Sequence, residues 1–295
     1  MFKGAIILNI DELLKQGKQL LKNVEDGHIK ARILLENVLN KSREYIVANS
    51  ELDVDQNNID IYLENIDKIK SGMPIQYITN KQEFMKMDFY VNKNVLIPQP
   101  DTEILVEEAI KICNTYSGDI KVLDLCTGSG AIGISIGKYV KNAKVYATDI
   151  SDEAINIAKK NAKQNNVNNI EFIISDMFDN IKETNFDIIV SNPPYIETDV
   201  IPLLSEEVKK EPIIALDGGK DGLKFYKIIL SEYKKYLESE GYLLLEIGYD
   251  QAKSVGKLIN SNYNIIKDLA GNDRVVIVES GWKIVIFIRS KAGIK

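Results

Sequence analysis

From Lys121 onward, short apolar runs alternate with amphipathic stretches, and this alternation constrains the fold more than any other feature of the chain. The runs 121–125, 144–149, 170–175, 186–191 and 241–247 have strand length and are rich in Val, Ile and Leu. Between them lie a Gly-rich turn leading into a helix, a helix over 152–164, a helical stretch near 205–210 and a helix over 222–237. Parallel strands joined by helical crossovers make a doubly wound α/β sheet. After a helix over 251–259, residues 263–269 and 274–279 read as a closing antiparallel pair, and 283–289 as a candidate further strand. Such a sheet binds ligands outside the carboxyl ends of its strands, so those ends hold the candidate functional residues.

The first seventy residues follow a different rule. Leu13, Leu14, Leu20, Leu21 and Val24 recur at helical spacing, as do Ile33, Leu34, Leu35, Val38 and Leu39. Ser42 and Asp55 are placed to cap the next two helices, and Ser71-Gly72 to stop the last. The expected organisation is a helical bundle domain over 1–73, a β-hairpin linker over 74–100 and a larger domain over 101–295. Strand-like stretches in the linker are Tyr77-Ile78, Phe84-Met85 and Phe89-Tyr90-Val91. Asp101 or Thr102 caps a helix running to residue 116. The bundle serves either as structure or as a docking element.

Composition removes several chemistries. With 295 residues, 45% hydrophobic and 27% charged, the chain has the make-up of a soluble globular protein. Its net charge is −6 and no Lys/Arg tract forms a nucleic-acid footprint, so no direct nucleic-acid substrate is expected. The N-terminal apolar run is too short for a signal peptide, and no stretch has membrane-spanning length, so no membrane partner is expected. Two cysteines, Cys113 and Cys126, make no disulfide framework, and a cytoplasmic location is the expectation. The single histidine, His28, reads as a residue on the surface or side of a helix. With so few soft ligands no metal site is expected. A Ser–His–Asp triad would have to rest on His28, far from every motif. The chemistry should need no imidazole.

Gly128-Ser129-Gly130-Ala131-Ile132-Gly133 satisfies G-x-G-x-x-G between a strand and a helix. Glycines there allow close approach of backbone to a nucleotide, and Asp149, ending the next strand, can accept both ribose hydroxyls. The pattern alone leaves a dinucleotide open. Asp124 argues against it, because a carboxylate there repels a pyrophosphate and favours the amino group of a sulfonium cofactor. Asp176 can accept from an adenine amino group, although a solvated loop acid is an equal reading. Met177 and Phe178 offer the ring apolar cover. Together these residues fit S-adenosylmethionine better than NAD.

Asn192-Pro193-Pro194-Tyr195 follows directly on the run 186–191. The prolines fix the backbone and remove two N–H donors, so the loop presents carbonyls. Asn192 adds a side-chain acceptor and Tyr195 a flat ring with a polar tip. An ordinary Asn-Pro turn is the bland alternative. The loop is suited to gripping a planar –NH₂: the Asn192 side-chain oxygen and the Pro193 carbonyl accept its two hydrogens, and Tyr195 stacks on the amide or base. Asn192, Pro193 and Tyr195 are therefore the candidate catalytic residues, with Pro194 completing the substrate loop.

The chain resembles the bacterial release factor glutamine methyltransferases (the HemK/PrmC family) along most of its length. The likeness is carried by Gly72-Met73-Pro74-Ile75-Gln76-Tyr77-Ile78, by Leu96-Ile97-Pro98-Gln99-Pro100-Asp101-Thr102-Glu103, and by the two motifs above. Glu211-Pro212, Ala215-Leu216-Asp217-Gly218-Gly219 and Asp268-Leu269-Ala270-Gly271-Asn272-Asp273-Arg274 extend it. The resemblance implies a Rossmann-like class I S-adenosylmethionine-dependent methyltransferase sheet. It also implies N5-methylation of the glutamine in the Gly-Gly-Gln loop of class 1 peptide chain release factors. By the same likeness Cys126, Thr127, Gly128, Ser129, Gly130, Asp149, Ile150, Met177 and Asn192 bind the cofactor. Three positions depart from the family pattern: Cys126 stands where Gly is usual, Gln99 where Arg is usual, and Met177 where Trp is usual. The competing readings are an amino-group methyltransferase acting on adenine or guanine in nucleic acid, and a non-enzymatic S-adenosylmethionine-binding or ribosome-associated module.

Overall fold

The computed structural model describes residues 8–281, so the candidate strand at 283–289 lies outside the described residues. Two compact units divide the chain, Met1–Ile97 with Asp199–Leu216, and Pro98–Thr198 with Asp217–Lys295. The sequence reading had one continuous domain from residue 101, whereas here the segment 199–216 groups with the N-terminal unit.

In the first unit a short pair, β1 (Leu8–Asn9) and β2 (Asp53–Val54), brackets the helices α1 (Ile10–Leu20), α2 (Gly27–Leu39) and α3 (Arg43–Ala48); α4 (Gln56–Lys70) follows. Asn9 closes a capping box with Glu12, and Ser42 and Asp55 cap α3 and α4 through their side chains. Leu13, Leu21, Leu34, Leu35, Tyr62 and Ile66 are fully buried between the helices. The Tyr62 hydroxyl donates to the Ala31 carbonyl at 3.1 Å, and a Cβ at Gly17 would lie 1.8 Å from that hydroxyl oxygen. His28 is exposed on α2.

Residues 75–79 correct one expectation. Tyr77-Ile78 is not strand but part of a short helix α5 (Ile75–Thr79), begun at Pro74, whose φ of −56° suits a helix start. Asn80 ends it in the left-handed region, and the Tyr77 hydroxyl fastens it to the Val95 carbonyl at 2.6 Å. The hairpin itself is β3 (Gln82–Phe84) with β4 (Met87–Phe89), turned by Met85 and Lys86 at φ 48° and 58°. In the 199–216 segment Glu211 is buried and accepts the Ile97 N–H at 2.9 Å; burial pushes its carboxyl up to about 7.

In the second unit, α6 (Thr102–Cys113) leads into β5 (Ile120–Leu125), α7 (Ala131–Tyr139), β6 (Ala143–Asp149), α8 (Asp152–Gln164), β7 (Ile170–Ile174) and β8 (Phe186–Ser191). Then come α9 (Lys224–Glu232), β9 (Leu237–Glu246), α10 (Ala252–Gly256), β10 (Tyr263–Lys267) and β11 (Asp273–Glu279). The seven strands run in the order β10-β11-β9-β8-β5-β6-β7, parallel except for β11, which is antiparallel to both neighbours. Val, Ile and Leu fill β5 and β8 because these central strands are covered on both faces. The helical stretch expected near 205–210 is only a single 3-10 turn, Val208–Lys210.

Chain order places the ligand crevice. Successive strands run outward from β5 to β6 and β7, and the chain then returns to lay β8 on the other side of β5. This reversal opens a crevice beyond the carboxyl ends of β5 and β8.

Candidate active site

The Gly-rich turn leaves β5 at Leu125, and the NPPY loop leaves β8 at Ser191, whose neighbour across the sheet is Leu125. The Ser191 hydroxyl donates to the Leu125 carbonyl at 2.8 Å and ties the two strand ends together. The two motifs, 60-odd residues apart in sequence, thus start from one register position.

The turn is held from inside. Cys126, Gly128 and Gly130 have φ of 60°, 54° and 83°. For the glycines that conformation is free of strain; for Cys126 it is not. Asp124 is wholly buried, and its Oδ2 accepts from the Thr127 hydroxyl at 2.5 Å and from the Gly133 N–H at 2.9 Å. Burial pushes Asp124 up to about 7, and its Oδ1 has no hydrogen-bond partner. The buried Asn161 side chain donates to the Ser129 carbonyl at 2.9 Å. The side chains of Asp124, Thr127 and Ser129 therefore face into the protein, and the turn presents its backbone.

Asp149 stands across from that backbone. Its Oδ2 accepts the Gly128 N–H at 2.9 Å and its Oδ1 the Ser151 N–H at 3.0 Å; burial raises its pKa. Each oxygen keeps a second lone pair for a further donor. Ile150 beside it is 49% exposed, an apolar side chain left open next to a polar edge. Asp176 is exposed, while Met177 is buried with its sulfur 3.9 Å from the Cys126 sulfur. Phe178 does not line this edge: it stacks on Tyr236 with centroids 4.7 Å apart in the core.

In the NPPY loop, Pro193 and Pro194 are buried and Asn192 and Tyr195 half-buried. Asn192 Nδ2 donates to Thr102 Oγ1 at 3.2 Å. The Tyr195 carbonyl accepts from Gln251 Nε2 at 2.9 Å, and its hydroxyl lies 3.5 Å from Glu246 Oε1. The Gly218 N–H donates to the Ile196 carbonyl at 2.8 Å, where Ile196 bridges Asp217. A Cβ at Gly218 would strike the Tyr195 backbone at 2.7 Å, so the Asp217-Gly218-Gly219 segment backs the loop at a distance only glycine allows.

Some of these partners were not among the expected site residues. Of the two residues expected to cap α6, Asp101 or Thr102, Asp101 holds the N-cap position, but its side chain makes no capping hydrogen bond. Asp101 pairs instead with Arg274 at 2.9 Å, and Thr102 with Asn192. Glu246, 2% exposed, was hidden in the apolar run of β9. A lone acid within such a run was the signal that could have found it.

Family models match two stretches: Methyltransferase small domain over 101–207 and PrmC N-terminal domain over 12–79. The release factor glutamine methyltransferase of Clostridium acetobutylicum is 43% identical over 286 residues, 93% of this chain and 99% of its own. The chain belongs to the release factor glutamine methyltransferase family. The family's Clostridium botulinum member is 41% identical over 277 residues, 90% of this chain and 98% of its own. A solved methyltransferase from Pyrococcus furiosus, 21% identical, superposes with a TM-score of 0.50 over 74% of this chain and 98% of its own, and shares the fold. The sheet is that of class I S-adenosylmethionine-dependent methyltransferases, as expected. Cys126 and Met177, two of the positions expected to depart from the family pattern, have their sulfurs 3.9 Å apart. Gln99 is exposed.

Proposed function

We propose that this protein transfers a methyl group from S-adenosylmethionine to the side-chain amide nitrogen of the glutamine in the Gly-Gly-Gln motif of class 1 peptide chain release factors. One observation carries the reading: Asn192 has its amide nitrogen engaged by Thr102, which leaves Oδ1 as the group offered to a substrate –NH₂. Family membership supports a glutamine over a nucleobase, as does the acidic net charge of −6.

The residues present fit the cofactor. A Cβ built on Gly128 meets nothing within 4 Å, so the turn's backbone borders open space that an adenosyl group can enter. Asp149 would accept the ribose hydroxyls, and Ile150 and Met177 would cover the adenine, with Asp176 at its amino edge. Cys126, Thr127, Gly128, Ser129 and Gly130 would contribute backbone, shaped from below by Asp124. S-adenosylmethionine supplies an activated methyl whose sulfur keeps the bonding pair when the methyl leaves.

Asn192 Oδ1 and the Pro193 carbonyl would accept the two amide hydrogens, aim the nitrogen lone pair at the methyl, and offset the positive charge developing on nitrogen, until one of those hydrogens leaves as a proton to solvent and the neutral N-methyl amide remains. Tyr195 would stack on the amide plane, and Pro194 holds the loop rigid. Alignment of this sort supplies roughly 7–11 kcal/mol, and each well-aimed acceptor about 3–4 kcal/mol. The partner is thus a release factor. Among the described residues no helix is long and apolar enough to cross a membrane.

Incubating the protein with methyl-labelled S-adenosylmethionine and purified release factor, beside transfer RNA and DNA, tests the reading. Label on the release factor glutamine is expected. Label confined to nucleic acid would overturn it.

A further inference from the structure

Thr102 holds the NPPY loop at Asn192, and the loop's other end has a separate holder that the reaction as described does not use. Pro193 and Pro194 carry no N–H, so this stretch has few donors of its own and is fastened largely through its carbonyls. At Tyr195 the donor comes from outside. Gln251 stands at the start of α10, 56 residues further on, and its Nε2 donates to the Tyr195 carbonyl at 2.9 Å.

The Gln251 amide can sit only one way round. Its Oε1 accepts the Gly248 N–H at 3.0 Å, and Nε2 could not take that place, because it has only hydrogens to give. Nε2 in turn faces the Tyr195 carbonyl and, at 3.4 Å, the Gly222 carbonyl, neither of which can donate. The main chain repeats the grip: the Gln251 N–H donates to the Gly248 carbonyl at 2.9 Å. Space at the contact is closed as well. A Cβ on Gly222, at φ 65°, would fall 2.5 Å from the Tyr195 carbonyl oxygen and 2.7 Å from Gln251 Nε2.

We propose that Gln251 is the positioning residue that fixes the Tyr195 end of the NPPY loop, and with it the ring set against the methyl-accepting amide. The proposal rests on the reading of Tyr195 as the ring that stacks on the substrate. Tethering the carbonyl stops the Tyr195 peptide from turning and holds the backbone from which the ring projects. Without the tether the fold survives, but the alignment on which methyl transfer depends is lost. The direction of the hydrogen bond offers a test. In Gln251→Glu an ionised carboxylate would aim an acceptor at two carbonyl oxygens, whereas a neutral carboxyl can donate to Tyr195 and still accept from Gly248.

The groups around residue 251 leave that reading clear. The Tyr226 hydroxyl lies 3.3 Å from Gln251 Oε1, and burial raises both it and Tyr195 above their ordinary range, so neither gains charge near neutrality. Asp250 is exposed, and Asp221 beside Gly222 is paired with Lys227 at 2.5 Å. Glu246, which burial pushes up to about 7, titrates in wild type too, so each variant is divided by wild type at the same pH.

Turnover is measured at saturating S-adenosylmethionine and release factor from pH 6 to pH 9 for wild type, Gln251→Ala and Gln251→Glu. Melting temperatures confirm folding, and calorimetry gives the cofactor affinity. Gln251→Ala should stay folded, keep its cofactor affinity and lose about tenfold to a hundredfold in kcat at every pH. Gln251→Glu should match that loss at pH 9 and recover most of it as the pH falls to 6. A folded Gln251→Ala within about threefold of wild type in kcat overturns the proposal. A Gln251→Glu whose ratio to wild type is flat across the range overturns it too, and that comparison decides even if Gln251→Ala fails to fold. Absence of release factor methylation by wild type is a separate result and overturns the underlying reading instead.

Discussion

The Gly133 N–H lies 2.9 Å from Asp124 Oδ2, and a Cβ on residue 133 would fall 2.9 Å from that same oxygen. The first turn of α7 is therefore pressed onto the carboxylate that shapes the glycine turn. Ile170 and Val145 close the remaining space at 3.3 Å each. Gly133→Ala should cost about 1–3 kcal/mol of stability, because Asp124 or the helix must move. Thermal unfolding should show a fall of about 2–4 °C for each kcal/mol. An unchanged melting temperature would mean that the contact relaxes freely.

Asp149 joins the second strand end to the turn through the Gly128 N–H. Asp149→Ala should weaken S-adenosylmethionine binding by roughly tenfold to a hundredfold, the worth of lost charge-assisted hydrogen bonds. Calorimetric titration gives the affinity directly. Equal affinity in variant and wild type would remove Asp149 from the ribose site.

Asn192→Ala deletes the acceptor proposed to face the substrate amide. Turnover should fall roughly 10²–10³-fold, the usual loss for one such group, with a smaller change in cofactor affinity. Single-turnover methylation of release factor separates the two effects. Near-normal turnover would show that the amide is held elsewhere.

Glu211 gives a prediction about stability and pH. Its carboxyl sits near 7 in the folded protein, against an ordinary 4.5, because burial disfavours the charge. The folded state thus holds this proton where the unfolded state has lost it. The contribution is fully present below about 4.5 and is lost as pH rises through about 7. Glu211→Gln keeps an oxygen for the Ile97 N–H and has nothing to ionise. The variant should gain on wild type by about 2 kcal/mol between pH 5 and pH 8. Denaturant unfolding at the two pH values measures it, and a difference independent of pH would mean that Glu211 is not strained by its charge.

Much of this was legible in the order of residues. Helical spacing marks α1 to α4, and the strand runs mark β5 to β9, because both patterns are local consequences of which side chains must be buried. The closing antiparallel pair β10 and β11 was legible for the same reason. Tyr77-Ile78 misled because β-favouring residues lie in α5, where Pro74 and the Tyr77 hydroxyl outweigh local preference. Phe178 misled likewise: it follows Asp176 and Met177, yet the Tyr236 ring claims it.

By itself, the sequence determined the chemistry available to this protein. NPPY at a strand end, a glycine turn with Asp149 beyond it, and one histidine leave methyl transfer to a planar amino group as the reaction they fit. Those motifs are read locally, and each carries its meaning in its own few residues. Tertiary structure alone decided how the Asn192 amide is turned. That orientation depends on Thr102, 90 residues earlier. Only the folded domain brings the two together, and in a site withdrawn from water one hydrogen bond is enough to decide which way an amide faces.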